Sequence, residues 1–335
     1  MRTLVTGGSG HLGFNLVALL LSRGHEVGTT LRALSNRSQV DRVRSLGPVA
    51  LFEADVRDYA QMHAALANVE VLFHVAAVYS ITDRSSEREV LETALAGTES
   101  TLRAAAARGV RRVVMTSSVV TLPLTPPCAP ASTEEEWNTD LGIPYFRAKV
   151  ESERKAWALA KELGLELTTI LPAGIIGPGF VRPTPTINII QACVMGEFRM
   201  GAPNGNFSFV DVRDVAEAHL LAAKPGATGR FIIGYDHAPS FDELVRAIGR
   251  LDRHVKPPLM ILPTFAAPLL PLYDAFSHRV FGTPRIATPE AIAATVSGKV
   301  YNFSSERAKR DLAWSPKVSF EQSLRDTLVE IRRLQ

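Results

Sequence analysis

The sequence is poor in cysteine: Cys128 and Cys193 are its two cysteines in 335 residues, and they form no CxxC pair and no cluster with histidine. Closely spaced cysteines are the usual mark of structural zinc sites and of the disulfide frameworks of small secreted proteins. We therefore expect two free thiols in a reducing compartment, no metal site, and a core that is held together by packing.

The sequence also lacks a large net charge and a long apolar run. Its 37 basic and 34 acidic residues leave a net charge of +3, too small to indicate nucleic acid as a partner. The longest apolar stretch, residues 259–273, is 15 residues long and holds three prolines, so we expect a buried or surface helix there and no membrane span. Contact with a membrane surface is the alternative. Because the chain opens on the strand-like "MRTLVTGGSG", we expect no secretory leader and a cytoplasmic location.

The first half of the sequence alternates between strand-like and helical patterns. Short β-branched runs such as "TLVT" and "RRVVMTSS" are separated by helical segments such as "LGFNLVALLLSRG" and "YFRAKVESERKAWALAKELG". Several helices end at a glycine, namely Gly24, Gly109 and Gly164. This alternation predicts an α/β fold with a doubly wound parallel sheet that helices cover on both faces.

The alternation breaks after Pro172, which suggests a second, smaller domain of mixed α/β structure. Residues 175–206 are rich in glycine and proline, and residues 226–335 mix helices with isolated strands. Residues 207–225 contain "FSFVDVRDVAEAHLLAA", which reads as one more strand and helix of the first sheet. We therefore predict a first domain over residues 1–174, rejoined by 207–225, and a substrate-binding domain over 175–206 and 226–335.

A glycine-rich turn, "TGGSGHLG", lies between the first strand and the first helix. Gly7 and Gly10 permit a tight turn and a close approach of backbone N–H groups to a diphosphate, while Gly13 lets the helix pack closely on the sheet. The helix N-terminus adds a partial positive charge. The pattern predicts a dinucleotide site that includes His11 and Leu12. A tight turn without a ligand is the alternative.

The end of the second strand indicates which dinucleotide binds. A carboxylate there would accept a hydrogen bond from the adenosine ribose, whereas an arginine would bind a 2′-phosphate. The segment "TTLRALSNR" offers Arg32 and Arg37 and no acid, so NADP(H) is favoured over NAD(H), unless Arg32 is simply a solvated surface residue. After the third strand, Asp55 could accept a hydrogen bond from the adenine amino group, with Val56 beside it.

A group of residues suited to acid–base chemistry follows the fifth strand. Tyr145 and Lys149 are four residues apart at the start of a predicted helix and so share one face, and Ser117 and Ser118 end the preceding strand. A nearby ammonium lowers the pKa of a phenol toward neutral pH. Tyr145 could then exchange a proton with a carbonyl oxygen that Ser118 also binds, while Lys149 holds the nicotinamide ribose. The alternative is that Tyr145 and Lys149 are ordinary helix-surface residues.

Taken together, these motifs resemble an extended short-chain dehydrogenase/reductase. The segments "TGGSGHLG", "LFHVAA", "VVMTSS", "YFRAK", "LPAGIIGPG" and "FVDVRDVAEAH" occur in the order of that superfamily. The chain looks most like dihydroflavonol 4-reductases and cinnamoyl-CoA reductases, and also like hopanoid-associated sugar epimerases through "TSSVVTL", "RPTPT" and "FSSERAKRDLAWSP". The resemblance implies a Rossmann fold, a catalytic triad of Ser118, Tyr145 and Lys149, and a possible homodimer formed by the two long helices.

The resemblance also implies cofactor contacts beyond the glycine turn. Ala94 stands where many members have an asparagine, which puts an asparagine-dependent water relay in doubt and leaves the triad untouched. The implied contacts come from the residues after the fourth, fifth and sixth strands: Val75, Ala76, Ala77, Thr116, Ser117, Pro172, Gly174 and Ile175.

The reaction is left open between a reductase and a sugar-nucleotide epimerase or dehydratase. Members that bind sugar nucleotides commonly hold the substrate diphosphate with an arginine before the strand matching "FSFVD" and an asparagine after the sixth strand. Here those positions hold Gly205-Asn206 and Gly174, although Arg182 or Arg199 could replace the arginine. We therefore expect NADPH-dependent reduction of a ketone or aldehyde. An epimerase or dehydratase with tightly bound NAD(P) is the alternative, and a non-catalytic NADP sensor is a further one.

The substrate pocket is expected to be apolar, which suits a hydrophobic ketone or aldehyde. Each candidate lining residue could equally belong to the core, because loops set the substrate and carry no periodic pattern. The candidates are Tyr79, Val119, Val120, Phe180 and Phe207.

Overall fold

The protein is described by a computed structural model over residues 1–76, 87–263, 269–281 and 298–334. Within those ranges, seven strands form one parallel sheet. They are β1 (Arg2–Thr6), β2 (Glu26–Leu31), β3 (Val49–Glu53), β4 (Val71–His74), β5 (Arg112–Thr116), β6 (Glu166–Pro172) and β10 (Gly229–Ile233). The spatial order is β3-β2-β1-β4-β5-β6-β10, so the direction of winding reverses at β1. A crevice at the carboxyl end of β1 is where such sheets bind ligands.

Helices cover both faces of this sheet, as predicted. On one face α3 (Tyr59–Ala65), α4 (Glu87–Ala107) and α5 (Pro144–Leu163) pack against one another, and on the other α1 (His11–Ser22) packs against α7 (Val212–Ala222). The inner strands are buried because both faces are covered: β4 is buried throughout and β6 is buried after its first residue, whereas the edge strand β3 is partly exposed. A short, polar helix, α2 (Arg37–Arg44), lies between β2 and β3 and was not predicted.

The predicted glycine stops are confirmed. Gly24, Gly109 and Gly164 have φ values of 73°, 75° and 67°, in the left-handed region that a side chain disfavours and that ends a helix. At the other end of α5, Pro144 occupies the first turn, where its missing N–H has no helical partner to lose. The helix that carries Tyr145 and Lys149 is therefore bounded at both ends by local sequence.

A second group of elements packs around its own apolar core. In it β7 (Gly174–Ile176) pairs with β9 (Phe209–Asp211), and β8 (Ala202–Pro203) pairs with β11 (Ile261–Leu262). The helices that contribute to this core are α6 (Pro185–Val194), α8 (Phe241–Leu251) and α11 (Phe320–Leu334). Helix α9 (Leu270–Phe281) follows β11, and α10 (Glu306–Asp311) packs on β10, with Ala308 in the core of the central sheet. The buried residues at its centre include Ile187, Phe209, Leu244, Ile248 and Leu324.

The prediction for residues 207–225 needs correction. Their strand, β9, does not rejoin the central sheet but pairs with β7, while their helix α7 does pack on α1. The seventh strand of the sheet is β10, from a segment assigned above to the smaller domain. Both segments are short apolar runs after a turn, so the sequence does not reveal which of them extends the sheet. The division into two domains stays a proposal.

The sequence predicts two free thiols and no membrane-spanning helix. Cys128 is exposed, Cys193 is buried, and both are free thiols. Within the described ranges no helix combines the length and the apolar character needed to cross a membrane. The apolar stretch 259–273 is not one helix, because β11 lies within it and α9 begins at Leu270.

The C-terminal segment is tied to α7 by one buried carboxylate. Asp214 is 3% exposed and accepts hydrogen bonds from the backbone N–H groups of Lys317 (3.0 Å) and Val318 (3.1 Å). The indole of Trp314, 1% exposed, donates to the backbone oxygen of Asp214 at 2.9 Å. The loop before α11 is therefore anchored on the layer of helices that covers the sheet.

We expect Asp214→Ala to lower the free energy of unfolding by about 2 kcal/mol, because two N–H groups lose their buried acceptor. Urea unfolding followed by tryptophan fluorescence measures the change. Asp236→Ala is the matched control, since Asp236 is exposed and pairs with Lys309 at the surface, where an ion pair contributes about 0–1 kcal/mol. Equal effects of the two substitutions would contradict the anchoring role.

Candidate functional site

The predicted cofactor residues collect along one edge of the central sheet. In a parallel sheet every strand ends at the same edge, so the residues after each strand become neighbours in space. Ala77 and Tyr79 lie outside the described residues. The others follow their strands as expected: Gly7 after β1, Arg32 after β2, Asp55 and Val56 after β3, Val75 and Ala76 after β4, Ser117 and Ser118 after β5, Pro172 at the end of β6, and Gly174 and Ile175 in β7.

The glycine turn has the geometry that a dinucleotide diphosphate needs. Gly7 has a φ of 74°, and the N–H of Gly10 donates to the oxygen of Gly7 at 3.0 Å. A Cβ atom on Gly13 would stand 2.2 Å from that same oxygen, so α1 packs on the turn as closely as a glycine allows. Gly10 caps α1 without a side-chain hydrogen bond, which leaves the first N–H groups of the helix for an anion. The turn therefore fits the diphosphate.

Residues outside the motif brace this turn. The N–H of Gly8 donates to the hydroxyl of Thr29 at 3.0 Å, and Arg42 donates to the backbone oxygen of Ser9 at 2.8 Å. The Arg42 guanidinium also lies over the ring of Phe14, 3.6 Å from its centre. Arg42 belongs to α2, the helix that was not predicted, so nothing in the sequence pattern pointed to this contact.

The side chain of His11 is a neutral hydrogen-bond donor, so it does not bind an anion through charge. Its Nε2 donates to the backbone oxygen of Pro178 at 3.1 Å, since a carbonyl can only accept, and its ring packs edge-on against Phe180. Burial lowers the pKa of His11 to about 4, so the ring is neutral. The contact that the sequence predicts between His11 and the cofactor would therefore be made by its backbone N–H.

The adenosine end of the edge is rich in positive charge. Arg32 is exposed directly after β2, and Arg37 is the first residue of α2. Asp55 forms an ion pair with Arg57 at 2.7 Å, and hydrogen bonds from Arg57, with a smaller effect of Arg32, lower the pKa of its carboxyl group. That Asp55 binds adenine and Arg32 binds a 2′-phosphate stays a prediction.

The residues of the predicted triad are linked through Val120. The N–H of Val120 donates to the hydroxyl oxygen of Ser118 at 3.3 Å, which leaves the Ser118 proton for another acceptor. The Val120 side chain packs in a small cluster with Tyr145 and Phe146 at the start of α5. Lys149 lies one helical turn further along the same face. Val120 therefore contacts both Ser118 and Tyr145 at the carboxyl edge of β5, and the triad of Ser118, Tyr145 and Lys149 stays a prediction.

Burial changes the pKa of the Lys149 amine. It lowers the pKa of Lys149 to about 8, and the carboxylate of Glu153 acts in the opposite direction. His74, at the end of β4, faces Lys149 and is neutral, because burial lowers its pKa to about 4 and the charge of Lys149 adds to that effect. The hydroxyl of Thr6 accepts the N–H groups of Val75 and Ala76, so it donates to Nδ1 of His74 at 3.2 Å.

Two predicted cofactor residues at the end of β5 use their hydroxyl groups inside the protein. Thr116 donates to Nε2 of His219 at 2.8 Å, because Nδ1 of that ring donates to a backbone oxygen. Ser117 donates to Glu153 at 2.7 Å and is 3% exposed. Both hydroxyl groups are thus hydrogen-bonded inside the protein, and that Thr116 and Ser117 contact the cofactor stays a prediction. The sequence pattern did not single out Glu153 as a partner, although it lies four residues after Lys149.

The predicted substrate residues divide into two groups. Val119 and Phe180 are buried in hydrophobic cores, at 4% and 3% exposure, and Phe207 packs against Phe241 with ring centres 4.5 Å apart. These three side chains pack against other parts of the protein, with Phe207 half-buried, and that they line the pocket stays a prediction. Val120, half-buried beside Tyr145, keeps its place as a candidate.

Comparison with known proteins agrees with this geometry. Residues 3–234 match the model of the NAD-dependent epimerase/dehydratase family. The chain belongs to that family. Its members are NAD(P)-dependent oxidoreductases and epimerases, and the resemblance to extended short-chain dehydrogenases/reductases is confirmed.

Similar proteins include both bacterial and plant relatives. Sterol demethylase protein B of Methylococcus capsulatus is 34% identical over 94% of both chains. Cinnamoyl-CoA reductase CAD2 of Medicago truncatula is 31% identical over 82% of this chain and 87% of its own. Among solved structures, that of gox2253 is 29% identical, with a TM-score of 0.82 over 99% of this chain and 98% of that one.

We expect the affinity for NADPH to fall as the pH rises through about 8, because Lys149 loses its proton there and a neutral amine is a weaker donor to ribose hydroxyl groups. Fluorescence titration of NADPH between about pH 6.5 and 9.5 measures the dissociation constant on both sides of that transition. Lys149→Met should bind more weakly and without this pH dependence.

Lys155→Met is the matched control, because Lys155 lies on the same helix and pairs with Glu99 of α4, away from the site. It should keep the pH dependence of the unsubstituted protein. Loss of affinity above about pH 8 in Lys149→Met as well would assign the titration to another group.

Proposed function

We propose that the protein reduces a ketone or aldehyde with NADPH and that Tyr145 donates the proton. One observation carries this choice over sugar-nucleotide epimerisation: the positions at which related epimerases hold the sugar diphosphate are used for other purposes. Asn206 exchanges two hydrogen bonds with the backbone of Tyr301, at 2.8 and 2.9 Å. Its amide is therefore committed to the packing of the chain.

The second diphosphate position is crowded. A Cβ atom on Gly174 would stand 3.0 Å from the oxygen of Ser208 and 3.0 Å from the methyl group of Thr186, so an asparagine there requires these neighbours to move by a few tenths of an ångström. Of the two arginines that could compensate, Arg199 donates to the oxygen of Pro257 at 2.7 Å. A diphosphate needs charged or forked donors, and these positions offer few.

The arrangement at the end of β5 suits carbonyl reduction. Because the Ser118 oxygen already accepts the Val120 N–H, its proton is free to hydrogen-bond the carbonyl oxygen of a substrate. Tyr145 gives its phenolic proton to that oxygen, and the Lys149 ammonium stabilises the phenolate that remains. A reduced nicotinamide nucleotide, when bound, would provide the hydride that the carbonyl carbon takes up. The products are an alcohol and the oxidised nucleotide.

Two further observations support the reaction class and the type of substrate. One relative is named a cinnamoyl-CoA reductase and another a sterol demethylase protein, names that fit reduction and an apolar substrate. The residue packed beside Tyr145 is Val120, so the entrance to the proton donor is apolar on that side. A hydrophobic ketone or aldehyde is accordingly the proposed substrate class.

We expect the protein to consume NADPH with a hydrophobic carbonyl compound, and Tyr145→Phe to lower kcat at least about 100-fold with NADPH binding nearly unchanged. A panel of aromatic, aliphatic and steroid carbonyls, followed by nucleotide absorbance, provides the measurement. Tyr59→Phe is the matched control, because Tyr59 is exposed on α3 and stacks on His63. Interconversion of UDP- or GDP-sugars without net loss of NADPH would identify an epimerase instead.

We expect Arg32→Ala to weaken NADPH binding about tenfold or more and to leave NADH binding unchanged, because only NADPH carries the 2′-phosphate that the guanidinium would bind. Titration of both nucleotides tests this difference. Arg23→Ala is the control, since Arg23 follows the far end of α1 and pairs with Glu217 at the surface. An equal loss for both nucleotides would remove Arg32 as the basis of cofactor choice.

A further inference from the structure

We propose that Glu153, paired with Arg230, is a positioning residue that holds the catalytic helix against the strand end that carries Ser118. The inference rests on the proposed function, in which Ser118, Tyr145 and Lys149 act together on a carbonyl group. It assigns a task to a buried ion pair that is separate from the triad itself.

Glu153 is a fully buried carboxylate in which both oxygens are occupied. Its side chain has 0% exposure. Oε1 accepts from Thr169 (2.7 Å), from Nε of Arg230 (2.9 Å) and from the indole of Trp157 (3.4 Å). Oε2 accepts from Ser117 (2.7 Å) and from Nη2 of Arg230 (3.4 Å). The donors come from β6, β10, α5 and the residue after β5, so one carboxylate joins three strands to the catalytic helix.

Arg230 extends the same network toward Ser118. Its Nη1 donates to the backbone oxygens of Glu134 and Glu136, both at 2.7 Å, and its Nη2 donates to the hydroxyl of Thr121 at 2.8 Å. The guanidinium also stacks on Trp137, 3.8 Å from the ring centre. Thr121 ends the short 3-10 turn that Ser118 caps. The pair therefore contacts residues on each side of Ser118 in sequence.

The position of Glu153 along α5 gives it a second effect. It lies eight residues after Tyr145 and four after Lys149, which places all three on one face of the helix. Its charge favours the ammonium form of Lys149 and offsets part of the cost of burying that group. His74, which also faces Lys149, is neutral and therefore does not stabilise the ammonium form.

The charged residues of α4 that face α5 form ion pairs away from Lys149. Glu99 and Arg103 of α4 face α5, where they pair with Lys155 and Glu162, further along the helix than Glu153. Glu153 is thus the carboxylate that supports the charge of Lys149 from the inner face of α5, and its removal should lower the pKa of Lys149. With a neutral amine beside it, Tyr145 should hold its proton to a higher pH.

A buried ion pair does not by itself argue for stability. Removing two charges from water costs about as much as their attraction returns, and an apolar pair of similar size often stabilises a protein equally well. The feature to be explained is that the donors to this pair lie on the elements that carry the reacting groups. Positioning and the charge state of Lys149 explain that feature, whereas bulk stability does not.

The central test is Glu153→Gln, which keeps the shape of the side chain and removes its charge. At about pH 6, where Lys149 is protonated in both proteins, we expect kcat for carbonyl reduction to fall about 10–100-fold with the dissociation constant of NADPH unchanged within about threefold. The pH at which Lys149 loses its proton should move down by about one unit. Glu151→Gln, two residues away in a surface pair with Arg147, is the matched control and should change none of these quantities.

The double variant Glu153→Gln/Arg230→Met separates positioning from folding. It leaves no unpaired arginine in the interior, so it should recover most of the stability lost in the single variant, while kcat and the pH profile stay displaced. A return of both to the parent values would show that the pair serves stability alone and would overturn the proposal.

A measurement without substrate distinguishes this proposal from the proposed function. The ultraviolet absorbance of tyrosinate reports the pKa of Tyr145 when the titration of a protein that lacks this tyrosine is subtracted. The parent is compared with Tyr145→Phe, and Glu153→Gln is compared with the double variant Glu153→Gln/Tyr145→Phe. A higher pKa in Glu153→Gln supports the positioning role, even if no carbonyl compound is reduced and the proposed function fails. An unchanged pKa overturns the positioning role, even if carbonyl turnover is observed.

Discussion

The parallel alignment of the strands is the constraint on which the site depends. Because every strand of the central sheet ends at one edge, residues that are far apart in sequence become neighbours without any specific contact between them. The glycine turn after β1, the neutral His74 at the end of β4 and Ser118 after β5 meet for this reason. The crossover helix α5 then brings Tyr145 and Lys149 to the same edge. The remaining interactions adjust this arrangement rather than create it.

Burial sets the protonation states of the histidines and the lysine at this edge. His74 and His219 are buried and His11 is half-buried, and all three are neutral with pKa values lowered to about 4, so these rings act as hydrogen-bonding groups rather than charges. Lys149 is half-buried, and the nearby carboxylate of Glu153 opposes the loss of its proton. The site therefore keeps a cation among several neutral polar groups, and that cation lies one helical turn from the phenol that needs it.

The features of the fold that were predicted correctly, and the site residues that the sequence proposes, rest on local patterns. The glycine turn, the glycine-capped helices and the pair Tyr145 and Lys149 each depend on spacings within one element, which the sequence displays directly. Helix α2 was missed because Val40 and Val43 are its buried residues and its other positions are polar. The pair Glu153 and Arg230 was missed because its members are 77 residues apart and meet only when β10 joins the sheet.

The sequence by itself determined the alternation of strands and helices in the first half of the chain, the glycine turn and the identity of the candidate acid–base residues, because hydrophobic periodicity and short motifs encode these features locally. Tertiary structure alone decided which segment became the seventh strand, and that Ser117 faces Glu153 while Ser118 keeps a free proton. It also decided that Asn206 is hydrogen-bonded to Tyr301 and that a side chain at Gly174 would meet Ser208 and Thr186 at close range. These outcomes follow from contacts between distant segments, which depend on how layers pack and leave no periodic signal in the chain.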